Sequence, residues 1–259
     1  MNGLPDAFAP GLASLAMVAA IVFVAGVLRG LTGFGFAIVA APLLAVVLPP
    51  GAAVGACVLL QLGVGLLEAP RAWATARGQP LTALVAGTLV ATPLGAFILS
   101  MTPAAAQRLM IAAAAIVALA AVWRGRERPI AAIVRHPLRV GLASGVLNGL
   151  AAMPGPPVVT YFLTAPISEA EARAALSVYF AFAAVIATGS GLMAGVIDAS
   201  TALPVLSSLP GLIAGTRLGG ALFARGHPGL YRQVGMAALA LAAAAAIARA
   251  LADLDLIPA

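Results

Sequence analysis

Apolar residues run along this chain in long blocks with no alternation of period two. Strands of a membrane barrel alternate apolar and polar positions, so these blocks read as helices. Ten blocks stand out, at 11–28, 33–48, 51–68, 81–100, 105–123, 138–150, 153–166, 172–195, 201–223 and 230–250. A bilayer core of about 30 Å takes about 20 helical residues, and the blocks 33–48, 138–150 and 153–166 fall short of that. A short block spans a thin region or pairs with a neighbour as half-helices that enter and leave from one side. The predicted fold is all-α, a polytopic helical membrane protein with about 8–10 transmembrane or half-membrane helices.

Composition narrows the class. Of 259 residues, 63% are hydrophobic and 8% charged, whereas a soluble domain carries about 25% charge. So few polar groups cannot cover a soluble surface of this size, which excludes a cytosolic enzyme, a nucleic-acid binder and a secreted disulfide scaffold. The single Cys57 cannot form an internal disulfide and reads as a small packing residue. The first residues, MNGLPDAFAPG, lack a basic stretch and carry Asp6, so a cleaved signal peptide is not expected.

The net charge of +6 comes from 14 Arg, with no Lys. Basic loops stay cytoplasmic, which places Arg124, Arg126, Arg128, Arg135 and Arg139 inside. Alternation then puts Arg71, Arg77, Arg173, Arg225 and Arg232 inside too, Arg108 and Arg249 near the outside, and both termini outside. The expectation is a multi-pass protein of the cell inner (plasma) membrane.

The basic stretch divides the chain into a first repeat (1–123), a cytoplasmic linker (124–138) and a second repeat (139–259). Gly26-Val-Leu-Arg-Gly30-Leu31 aligns with Gly145-Val-Leu-Asn-Gly149-Leu150, and seven of nineteen positions from residue 26 agree. Leu94-Gly95 and Arg108 align more weakly with Leu218-Gly219 and Arg232. Five blocks per half would orient the halves oppositely, as two inverted repeats, a recurring plan of secondary transporters whose substrate lies where the repeats meet.

Two segments carry the chemistry. From Gly11 to Pro49 the chain runs 39 residues, and as one helix it would reach about 58 Å. It must break, and Gly33, Gly35 and Gly30 mark where. A helix restarting after Gly35 would aim free N–H groups at the break, which suits an anion. Arg29 adds charge, Thr32 a hydroxyl, and Phe34 lies within the same turn. A charge inside a membrane helix needs a compensating partner; at a helix end the same guanidinium could instead reach lipid headgroups. The second segment is Asn148-Gly149 followed by Met153-Pro154-Gly155-Pro156-Pro157. Three prolines in four residues cannot lie in a helix interior, but they suit a break and a helix start. Asn148 aligns with Arg29, and an anion held between one cation and one amide fits that pair. A plain kink is the alternative.

Further candidates concern coupling or gating. Gln61 and Glu68 share one block, and Glu68, if it faces a cavity, is the best candidate for a protonation site. Arg217 lies between Gly215 and Gly219, where snorkelling is the alternative. Tyr179 could face the cavity or pack. His136 and His227 fall in loops, so no metal site and no intramembrane Ser/His enzyme is expected. No cofactor is expected either.

At these segments the chain resembles the TauE/SafE-type sulfite exporter family of membrane permeases. The likeness rests on Arg29-Gly-Leu-Thr-Gly-Phe-Gly-Phe-Ala-Ile-Val-Ala-Ala-Pro42-Leu-Leu, on Gly145-Val-Leu-Asn-Gly-Leu-Ala-Ala-Met-Pro-Gly-Pro-Pro-Val-Val-Thr-Tyr161 and on Gly215–Gly219. It departs at Ala151-Ala152-Met153-Pro154, where that family more often has glycines. The resemblance implies transport, often export, of a small anion such as sulfite, a sulfonate or a related organic acid. The expected partners are that anion and the lipid bilayer, with no nucleic acid; a homo-oligomer is compatible with such a chain. The mechanism would be alternating access, one repeat moving against the other. The rival reading is a membrane scaffold or assembly factor without transport.

Overall fold

The computed structural model describes residues 11–76, 78–124, 136–224 and position 244. The block at 230–250, the basic stretch 125–135, both termini, and Arg77, Arg225, Arg232, Arg249 and His227 lie outside the described residues. Within them the chain is all-α, with nine helices and no strands. In order they are α1 (Leu12–Thr32), α2 (Phe36–Val47), α3 (Pro50–Ala76), α4 (Leu81–Met101), α5 (Ala104–Arg124), α6 (Pro137–Ala151), α7 (Gly155–Thr164), α8 (Glu169–Met193) and α9 (Ala202–Ala224).

Four of them, α1, α3, α4 and α8, are long and apolar enough to cross a membrane. The 12 residues of α2 and the 10 of α7 extend only about 15–18 Å, too short to span alone. The outer face of α4 carries Leu89, Val90, Leu94, Phe97, Ile98 and Met101, all exposed. A continuous apolar strip of this kind is stable against lipid and not against water.

Helix pairing follows stripes of small residues. The most extensive contacts join α4 to α6, α1 to α9 and α3 to α8. In α6 the stripe is Gly141, Gly145 and Gly149; in α4 it is Gly87, Ala91 and Gly95, again four residues apart. A methyl group placed on Gly95 would lie 3.0 Å from the Cα of Gly149. In α9 the stripe is Gly211, Gly215 and Gly219, facing Gly26 and Gly30 of α1, and a methyl on Gly30 would lie 2.9 Å from the Cα of Gly219. Between apolar helices in lipid, such backbone contact supplies the packing that hydrophobic burial cannot. The two pairs also correspond: Gly30 aligns with Gly149 and Gly95 with Gly219, so one contact is the counterpart of the other.

Candidate functional site

The first break forms at the glycines. Helix α1 stops at Thr32, and Gly33 takes φ 82°, its N–H donating to the carbonyl of Arg29 at 2.7 Å. Gly35 follows at φ 89°. Both angles lie in the left-handed region that Gly enters freely, and together they turn the chain back so that α2 packs on α1. The Thr32 hydroxyl is engaged within the turn, with the carbonyls of Leu28 at 2.8 Å and Phe34 at 2.5 Å. No side chain caps α2, so the first N–H groups of the helix point unsatisfied out of its end.

The second break uses a different device. Helix α6 stops at Ala151, and Ala152 adopts φ 56°, the one non-glycine residue at positive φ among those described. Its N–H donates to the carbonyl of Asn148 at 2.8 Å. Helix α7 restarts at Gly155 behind Pro154. Since Pro156 and Pro157 have no N–H, the first turn of α7 offers the single donor of Gly155. The α2 end is therefore the richer of the two in anion-binding donors.

Both breaks border one cavity of about 20 Å³. Its wall is made by Arg29 and Phe34 to Ile38 on one side, Ala152 to Gly155 on the other, with Gln61 and Phe180 between them. The volume suffices for about one water molecule, so a larger anion enters only if the walls part.

Of α3, Gln61 lines this cavity, and Glu68, outside the lining, pairs with the Arg29 of its wall. The Gln61 amide donates to the carbonyl of Ala152 at 3.0 Å and to that of Cys57 at 3.3 Å. The Arg29 guanidinium, in the last turn of α1, is buried and meets the Glu68 carboxylate at 2.5 Å. Arg29 thus has an internal counter-ion and does not reach outward.

The other sequence candidates lie elsewhere. Asn148 is buried, with its amide donating to the carbonyl of Ala183 at 2.9 Å and to Thr92 Oγ1 at 3.4 Å. It borders a second cavity of about 10 Å³, with Gly149, Val54 and Ile197, and not the cavity of Arg29. Gly149 also packs on α4. Tyr179 is buried beside Thr88, their hydroxyl oxygens 2.7 Å apart. Ser144 of the same polar cluster donates to the carbonyl of Pro154, which fixes the second break from behind. Arg217 is exposed on α9, beside an open groove lined by Leu206, Leu209, Pro210 and Ile213. Thr32, Gly33 and Pro156 do not line the Arg29 cavity. His136 precedes α6, exposed. Among the described residues no three His, Cys, Asp or Glu side chains are grouped as metal ligands would be.

One residue was not singled out from the sequence. Arg173, near the start of α8, stacks its guanidinium over the Phe223 ring at 4.6 Å. A methyl placed on Gly33 would lie 3.5 Å from that guanidinium. A second positive charge therefore stands over the first break.

The model of one protein family, described as Sulfite exporter TauE/SafE, matches residues 18–246. No curated protein and no solved structure matches the chain.

Proposed function

Because this chain belongs to the sulfite exporter TauE/SafE family, a family of membrane transporters, we propose that it exports a small oxyanion of the sulfite or sulfonate type, held in the cavity between the two breaks. One observation carries the reading: a buried guanidinium and the uncapped end of α2 meet at the same small space. Charge-assisted hydrogen bonds are about twice as strong as neutral ones, and a helix N-terminus favours negative charge. Arg29 supplies the fixed charge. The N–H groups of Phe36 to Ile38 and of Gly155 supply directed donors, Gln61 an amide, and Phe34 and Phe180 apolar walls. The second charge, Arg173, raises the local anion concentration at the first break.

Transport proceeds by alternating access. The corresponding glycine contacts are compatible with two related halves, which we read as oppositely oriented, with the basic stretch 124–138 as the cytoplasmic link. We infer from them which bodies move. Each glycine-lined pair takes one helix from each half, so a rigid half sliding past the other would tear both pairs apart. The moving units are instead α1 with α9 and α4 with α6, rocking about the central α3 and α8.

The test is flux in proteoliposomes against sulfite, thiosulfate, small sulfonates and small carboxylates. Saturable transport of a sulfur oxyanion is expected. Flux equal to that of protein-free vesicles for the whole panel would exclude this function.

A further inference from the structure

Arg29 lines the cavity, and its counter-ion Glu68 lies outside that lining. Arg29 is 7% exposed at its side chain and Glu68 is 35% exposed. The guanidinium is sealed in the wall, while the carboxylate that neutralises it remains within reach of water. An entering anion seeks the same guanidinium that Glu68 already holds. Two negative groups on one buried cation repel each other, so the second can bind well only when the first has lost its charge.

We propose that Glu68 is the built-in competitor of the transported anion, and that each anion bound at Arg29 is accompanied by one proton taken up on the Glu68 carboxylate. This rests on the anion site proposed above and assigns its coupling. The carboxylate gains a proton, its charge is neutralised, and the guanidinium passes from Glu68 to the anion. When the anion leaves, the proton leaves and the pair closes again. Anion and proton thus cross together, so an inward-directed proton gradient opposes the export proposed above, which then runs on the anion's own outward gradient.

The charged surroundings leave Glu68 with this single partner. Arg29 is the group it contacts among the described residues. Helix α2 carries no titratable side chain. On α5, Arg108 donates to the carbonyl of Ala45. On α8, Glu171 closes a capping box with Ser168, Glu169 is exposed at the same helix start, Arg173 lies over Phe223, and Tyr179 is bonded to Thr88. On α9, Arg217 is exposed, and on α3 itself Arg71 is exposed.

Methanesulfonate is a suitable probe because its own charge does not change with pH. Its binding to the purified full-length protein, measured by calorimetry in buffers of different ionisation enthalpy, should take up about one proton per anion, and affinity should fall as pH rises. Glu68→Gln should bind with no proton uptake and no pH dependence; Glu68→Asp should retain both. Binding by the wild type without proton uptake would overturn the coupling while leaving the anion site standing. So would uptake undiminished in Glu68→Gln. If Arg29→Gln binds the probe as tightly as the wild type, the anion site itself fails, and the coupling with it.

Discussion

Gln61 reaches across 91 positions of sequence to donate its amide to the carbonyl of Ala152 at 3.0 Å. The acceptor belongs to the turn between α6 and α7, and the donor lies on the helix that also carries Glu68. One neutral hydrogen bond thereby joins the second break to the helix that holds the counter-ion of the first. Replacing Gln61 with Leu leaves the carbonyl unpaired, at a cost of about 1–3 kcal/mol. Thermal unfolding in detergent should shift downward, and sulfite flux should fall several-fold. Unchanged flux and stability would reduce the bond to a bystander.

Ala152 holds a left-handed conformation at φ 56°. A side chain in that region costs about 1–2 kcal/mol, and Gly avoids it while adding about 0.5–1 kcal/mol of unfolded-state freedom. Ala152→Gly should therefore be neutral to stabilising by up to about 1 kcal/mol. Gly33→Ala, at φ 82°, should destabilise by a similar amount. A pair of melting curves decides the matter, and a destabilised Ala152→Gly would contradict the assignment of strain.

Arg29→Ala removes the guanidinium and leaves Glu68 without its partner. Hydrogen bonds to charged groups contribute about 1.5–3 kcal/mol each, so losing one or two lowers anion affinity about ten- to ten-thousandfold. Flux should be lost although the protein still inserts and elutes as the wild type does in size-exclusion chromatography. Wild-type flux from a correctly inserted variant would take Arg29 out of the site.

The glycine stripes give a matched comparison. Gly95→Ala drives a methyl into the backbone of α6, and Gly30→Ala drives one into that of α9. Overpacking of this kind costs about 1–3 kcal/mol. Gly220→Ala meets nothing within 4 Å and should be neutral or stabilising by up to about 1 kcal/mol. Thermal stability of the three variants separates contact from propensity; equal effects would mean that the stripes do not set the packing.

Much of this arrangement is legible in the sequence because lipid imposes strong rules on composition. Several apolar blocks mark their helices to within a few residues, such as 81–100 against Leu81–Met101 and 105–123 against Ala104–Arg124, whereas α3 runs eight residues past its block, to Ala76. Both breaks were legible too, since Gly33 and Gly35 permit positive φ and Pro154 to Pro157 forbid a helix interior. The stripes at spacing four were visible as letters, yet nothing in a stripe states which helix it meets. The pairing of Arg29 with Glu68 was hidden for the same reason. No periodicity links residues 39 positions apart on different helices, and only the fold brings them together. Asn148 aligned with Arg29, but an amide, unlike a cation, is satisfied by a nearby carbonyl, and that of Ala183 lies within reach. Ala152 gave no signal, because alanine is at home in the helix it terminates here.

The close approach of Gly30 to Gly219 bears on how the protein is made. A ribosome delivers α1 well before α9, so α1 waits in the bilayer without this partner while the helices between them are made. The same holds in lesser degree for α4 until α6 emerges. Insertion and assembly are therefore separate events: helices enter the lipid in order, and the α1–α9 contact closes only after α9 arrives. During that interval the bare glycine faces of α1 and α4 are open to wrong partners, and a membrane chaperone or swift completion of the chain would guard against them.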